Sequence, residues 1–122
     1  MKKATLIYFS VLATLGAVAP ASAQSQAEGR NLYVSYCATC HGDAGKGNGV
    51  AASSLPVKPR DHTNGAVMNA LSDQFLAQII AEGGGAVGKS SFMPGWGASL
   101  NDKQIRDLVA YIRTLAVPTY KP

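Results

Sequence analysis

The residues with the most chemistry in them stand together, as Cys37-Ala38-Thr39-Cys40-His41. The two cysteines are the whole thiol content of the 122-residue chain, and His41 is one of its two histidines. Two thiols about one helical turn apart can reach the vinyl groups on one porphyrin edge and close thioether bonds. The next residue then carries an imidazole under the iron as an axial ligand. The run reads as the attachment site of a covalent c-type haem, and the chemistry it implies is one-electron transfer at iron.

Other chemistries for the same residues fare worse. A disulfide between them closes too small a loop to staple a fold. A structural zinc site needs four ligands, commonly as two pairs, and only one pair is present. A thiol–disulfide oxidoreductase uses this spacing on a thioredoxin-like fold, with strands around the motif and the reactive thiol at a helix start. Here the motif is expected to close a helix, and no alternating strand pattern appears.

The start of the chain suggests where this chemistry takes place. Lys2 and Lys3, the uncharged and mostly apolar run Ala4 to Val18, and the small residues Ala21-Ser22-Ala23 follow the order of a secretory signal peptide. The apolar run is shorter than the roughly 20 residues of a membrane span. Residues 1–23 therefore read as a cleaved signal peptide and 24–122 as the mature domain. An uncleaved N-terminal anchor is the alternative. Export implies the periplasm, with no membrane insertion after cleavage, and periplasmic thiols are oxidised unless otherwise committed. No cysteine follows the cleavage position, so a lipid anchor is not expected.

Cleavage leaves 99 residues, a size at which a core alone gives marginal stability. A large, covalently held haem would supply the missing apolar core. The mature part carries nine basic and seven acidic side chains, a balance of +2 that two propionates would bring near neutral. The basic balance is thus weak support for a nucleic-acid partner, and export argues against one. Lys46, Lys58, Arg60 and Lys89 either ring an exposed haem edge and steer an acidic redox partner, or are plain solvated cations. A monomer is the default.

The elements that must position the motif are helical. Gln26 to Cys40 is the expected first helix, with Leu32, Tyr33, Tyr36 and Cys40 near one face. Gly42 to Gly49 reads as a loop, and Leu55 to His62, with Pro56 and Pro59, as an extended segment. Ser72 is a good N-cap for a helix over Asp73 to Glu82, whose apolar face is Phe75, Leu76, Ile79 and Ile80 and which Gly83 stops. A second loop, Ala86 to Leu100, holds Met93-Pro94-Gly95-Trp96-Gly97. Asn101 and Gln104 have the spacing of a capping box before a last helix, with Ile105, Leu108, Val109, Ile112 and Leu115 as its buried stripe and Pro118 at its end. The reading is a small all-α domain with long loops, and wrapping a haem is sufficient reason for such loops.

Export signal, haem motif, Met93-Pro94 and terminal helix occur in the order of a class I cytochrome c. From about Ala27 to Leu115 the chain resembles that family, and most of all its bacterial, periplasmic single-haem members. The resemblance implies a cytochrome c-like fold around one haem c with iron held by His41 and Met93. A soft, neutral thioether favours reduced iron and raises the potential. Met68, the competing methionine, falls where the family carries an apolar wall residue. His62, beside Asp61 and Arg60, reads as a surface residue; bis-histidine ligation is the alternative and would leave Met93 free.

The remaining site residues also rest on the resemblance. In the family a proline carbonyl accepts the proximal histidine's other N–H, and Pro56 is the expected match. Arg60 resembles the basic residue that offsets buried propionate charge. Trp96 either donates its indole N–H to a propionate or walls the pocket. Gly29 and Tyr33, with Leu108 and Tyr111, resemble the family's crossing of terminal helices.

The implied protein is an electron-transfer protein and not an enzyme: a soluble one-electron carrier between a redox donor and a redox acceptor. A dedicated haem subunit of a periplasmic oxidoreductase complex is the main alternative. A haem sensor with a dissociable Met93 is another.

Overall fold

The structure is a computed structural model that describes residues 20–122. Most of the segment read as a signal peptide lies outside the described residues. Its small-residue end, Ala21-Ser22-Ala23, forms the first turn of helix α1 (Ala21–Tyr36).

The single helix expected over Gln26 to Cys40 is two helices. At Cys37 the backbone departs from ideal helix (φ −117°, ψ −36°), although the Cys37 N–H still bonds to the Tyr33 carbonyl. Helix α2 (Ala38–His41) follows at once. A four-residue helix has almost no internal hydrogen bonding, and its last carbonyls need outside partners. The glycine-rich loop provides them. Gly47, Gly49 and Ala51 donate their N–H groups to the carbonyls of His41, Cys40 and Thr39, at 2.7, 3.0 and 3.0 Å. The loop is therefore the cap that holds the Cys-x-x-Cys-His turn in shape.

Helix α3 (Gly65–Met68) is short and was not legible as a periodic pattern; the Asn64 side chain caps it by accepting the Val67 N–H. Helix α4 (Asp73–Glu82) has the expected bounds, and the Ser72 hydroxyl accepts the Phe75 N–H as its cap. Helix α5 (Asp102–Leu115) starts with the expected capping box, Asn101 and Gln104 each bonding the other's backbone N–H. Ala116 is already extended, so the helix ends before Pro118. Among the described residues the one strand-like feature is an isolated parallel bridge between Asn64 and Val117. Asn101→Ala removes half of the capping box and should cost ~1 kcal/mol. The expected observation is a lower urea midpoint with an unchanged slope.

The fold turns on the crossing of α1 and α5. Gly29 sits where the helices meet: a Cβ there would overlap the Asp107 carbonyl and press on Tyr111. Absence of a side chain permits this approach. Tyr33, fully buried, packs edge-on against Tyr111 with ring centroids 5.2 Å apart. Ser25 and Lys103 both donate to the Asp107 carboxylate beside the crossing.

Met68 and Leu108 are fully buried, and Leu76, Ile80, Ile105, Val109 and Ile112 complete the core. Arg113 is a buried charge beside this core. It donates to the Asp73 carboxylate and to the carbonyls of Met68 and Leu71, and lies over the Tyr120 ring at 3.8 Å. It thereby ties α5 to the segment leading into α4. Among the described residues no helix is long and apolar enough to cross a membrane.

Candidate functional site

The helices leave a cavity of about 630 Å³. That volume is in the roughly 300–1,000 Å³ range of sites that enclose a small molecule or cofactor. Cys37, Cys40 and His41 line it from α2 and its start; Phe75, Leu76, Ile79 and Ile80 line it from α4 and Ile112 from α5. Met93, Pro94 and Trp96 come from the long second loop, and Pro59 to His62 from the extended segment.

His41 is set up as a ligand. Its Nδ1 lies 2.9 Å from the Arg60 carbonyl oxygen. A carbonyl only accepts, so the proton is on Nδ1 and Nε2 keeps its lone pair. Burial lowers the His41 pKa, with the Arg60 bond as a partial offset, so the ring stays neutral at neutral pH. The expected carbonyl, that of Pro56, does not do this work: Pro56 is exposed and does not line the cavity. The reason is register. The His62 N–H bonds to the Gly45 carbonyl at 2.7 Å, which anchors the extended segment near its end and brings Arg60 to the imidazole.

His62 is not a surface residue. It is 8 % exposed and lines the cavity. Its ring stacks on His41 with centroids 4.2 Å apart and planes 16° from parallel. Side by side on one wall, the two imidazoles cannot take opposite faces of one iron, which removes the bis-histidine arrangement. His62 Nδ1 is 3.0 Å from the Tyr33 hydroxyl. Burial and then the His41 neighbour push the His62 pKa down to about 3, so this ring is neutral too. Burial likewise raises the Tyr33 pKa far above the ordinary phenol value.

The Cys37 thiol is not tuned for disulfide exchange. Burial, then the neighbouring Cys40, pushes the Cys37 thiol up to about 12. An attacking thiol needs the opposite shift. Both cysteines are half-buried, with no disulfide between them. Two cysteines and a neutral imidazole lining one cavity with an apolar interior fit a covalently attached haem.

The Met93 loop is fastened to the end of α4. The Gly84 N–H bonds the Met93 carbonyl at 3.0 Å, and the N–H groups of Trp96 and Gly97 bond the Ile80 and Ala81 carbonyls at 2.8 and 2.9 Å. Gly95 makes this possible, since a Cβ there would strike the backbone of Ala81 and Glu82. Met68 also lines the cavity, but it is 1 % exposed and packed into the core. Trp96 is half-buried and edge-on to Tyr36, centroids 5.1 Å apart, so it is at least an aromatic wall. Arg60 is exposed on the rim and forms no ion pair among the described residues. Of the other cations, Lys58 and Lys89 line the mouth and Lys46 does not. Val57 and Phe92, each 57 % exposed, add apolar surface there.

The family described as cytochrome c oxidase, cbb3-type, subunit III matches residues 24–112. The chain belongs to this family of cytochrome c domains. It is similar to cytochrome c6 of Picosynechococcus sp., at 32% identity over 119 residues and 92% of each chain. It is also similar to the cbb3-type cytochrome c oxidase subunit FixP of Azorhizobium caulinodans, at 31% identity over 84% of this chain. This cytochrome spans only 31% of that subunit's length.

Among solved structures, a chain of the Kuenenia stuttgartiensis reducing HAO-like protein complex superposes with a TM-score of 0.63. It is 27% identical, over 78% of this cytochrome and 45% of that chain. The KustC0563 c-type cytochrome superposes at 0.58, with 25% identity, over 72% of this cytochrome and 96% of that chain. The all-α cytochrome c fold is thus established, and electron transfer is the role that membership of this family implies. Covalent haem c is the cofactor that membership implies, and redox proteins are the partners it implies.

Sequence reasoning missed His62 and the Arg60 carbonyl. Neither leaves a pattern in the chain, because both depend on how a proline-interrupted segment is anchored to a distant glycine loop.

Proposed function

We propose that this cytochrome is an exported, periplasmic one-electron carrier with a single haem c, attached through Cys37 and Cys40 and ligated by His41 and Met93. Residues 1–23 serve as its signal peptide and 24–122 form the mature carrier. The observation that carries the reading is the His41 tautomer: a neutral ring with Nδ1–H committed to Arg60 and its Nε2 lone pair left free, on a residue that lines a cavity together with the two thiols. When bound, the haem supplies the ferrous–ferric couple. The protein's own residues orient the ligand, exclude water from an apolar pocket and present an edge for electron exit. Arg60 and Trp96 are the residues proposed to meet the propionates. Lys58 and Lys89 at the mouth, with Val57 and Phe92, suit a weak encounter with an acidic redox partner.

The likeness to FixP, an oxidase subunit by name, favours one second reading: a haem domain committed to a larger oxidoreductase. Purification separates the two, since a carrier is isolated as holoprotein without a stoichiometric partner. The direct test of the cofactor is the reduced spectrum in alkaline pyridine of protein made in cells with haem-attachment machinery. A thioether-type haem signal is expected, lost as covalent haem in a Cys37→Ser, Cys40→Ser double variant. Colourless wild-type protein overturns the reading.

A further inference from the structure

We propose that His62 is a positioning residue for the proximal ligand, its ring lying flat on His41 and fixing the plane of that imidazole. The proposal rests on the reading of His41 as an iron ligand.

The His41 ring makes a single hydrogen bond among the described residues, from Nδ1 to the Arg60 carbonyl. Carbonyl acceptors tolerate a broad spread of directions, so this bond leaves the ring free to rock. A flat neighbour 4.2 Å away and 16° from parallel does not leave it free. Rocking would drive the edge of His41 into the face of His62.

His62 can act as that stop because it is itself immobilised. Its backbone N–H is bound to the Gly45 carbonyl at 2.7 Å. Its Nδ1 is bound to the Tyr33 hydroxyl at 3.0 Å, and the Tyr33 ring lies edge-on to it at 5.8 Å. Tyr33 has no exposed surface and is braced by Tyr111 of α5. The α1–α5 crossing is thus connected to the proximal ligand through one tyrosine and one histidine. Burying an imidazole costs free energy unless its polar atoms find partners, and a simple space-filler here would be apolar.

The experiment compares His62→Phe with His62→Leu in the holoprotein. Phenylalanine keeps a flat ring against His41, and leucine fills the space without one. Paramagnetic proton shifts of the haem methyls in the ferric state depend on the plane of the axial imidazole. The His62→Phe protein should retain the wild-type order and spread of these shifts. The His62→Leu protein should show a changed order or a collapsed spread, with altered g-values in the ferric electron paramagnetic resonance spectrum. Identical patterns in the two variants, whether both wild-type or both changed, overturn the stacking role. Tyr33→Phe, which removes one hydroxyl, should shift the pattern in the direction of His62→Leu, and a wild-type pattern there overturns the anchoring role of Tyr33. The wild-type spectrum separates this proposal from its premise. If the wild-type protein lacks a low-spin, histidine-ligated haem, the ligand reading fails. If it has one and the variants behave alike, only the role of His62 fails.

Discussion

Replacing Met93 with alanine is expected to leave the haem attached and the fold intact while lowering the reduction potential by on the order of 0.1 V or more, within the roughly 0.8 V that axial ligands span. Attachment should survive because, in the proposed ligation, Cys37 and Cys40 would hold the porphyrin and His41 its proximal side. The fold survives because the loop is fastened through backbone groups. The Met93 carbonyl accepts from Gly84, and Trp96 and Gly97 donate to the end of α4, whatever side chain stands at 93. What disappears is the soft, neutral sulfur that favours ferrous iron. Carbon monoxide should then bind the ferrous variant at once, whereas the wild-type protein should resist it. Redox titration and a carbon monoxide difference spectrum check both points. Met68→Leu is the control. That side chain is 1 % exposed in the core, and a volume-conserving swap there typically costs under about 1.5 kcal/mol. An unchanged potential in Met93→Ala, or a lowered one in Met68→Leu, would reassign the sixth ligand.

The parts of this protein that sequence made legible are those ruled by local physics. The bounds and Ser72 cap of α4 follow from side chains adjacent in the chain, as does the Asn101–Gln104 capping box of α5. The Cys-x-x-Cys-His motif is legible because haem attachment fixes its spacing within five residues.

The illegible parts depend on contacts between distant segments. The break at Cys37 has no helix-breaking residue to announce it. It becomes tolerable because three loop amides, up to twelve residues further on, bond the carbonyls of α2. The choice of the Arg60 carbonyl over that of Pro56 turns on the bond between His62 and Gly45. His62 itself misled because a histidine flanked by charged residues has the local look of surface. Its burial is set by Tyr33, 29 residues earlier. Arg113 is the converse case: it stands next to the apolar stripe of α5 and is buried because two backbone carbonyls and Asp73 receive it.

Gly29→Leu should damage folding more than any other single change outside the haem ligands. Two effects oppose each other. Glycine in a helix is worse than an ordinary residue by roughly 0.5–1 kcal/mol, so the substitution favours α1 in isolation. Against that, even the first carbon of the new side chain overlaps the Asp107 carbonyl and crowds the Tyr111 Cβ. The obstacle is helix backbone, which cannot step aside as a flexible side-chain tip can. Overpacking a core typically costs 1–3 kcal/mol, and occasionally more. With rigid backbone on the far side, the cost should be about 3 kcal/mol or higher, and the propensity gain cannot offset it. Separating the helices also pulls Ser25 from Asp107 and Tyr33 from Tyr111, so the loss is cooperative. Against a total of about 5–15 kcal/mol for a domain, this is a large fraction. The variant should show a sharply lower denaturation midpoint and a poor yield of holoprotein. Whatever fraction folds should keep the proposed axial ligands, because neither His41 nor Met93 lies at the crossing. A Gly29→Leu protein within about 1 kcal/mol of wild type would mean that the two helices can separate freely, and that the crossing is not what holds this domain together.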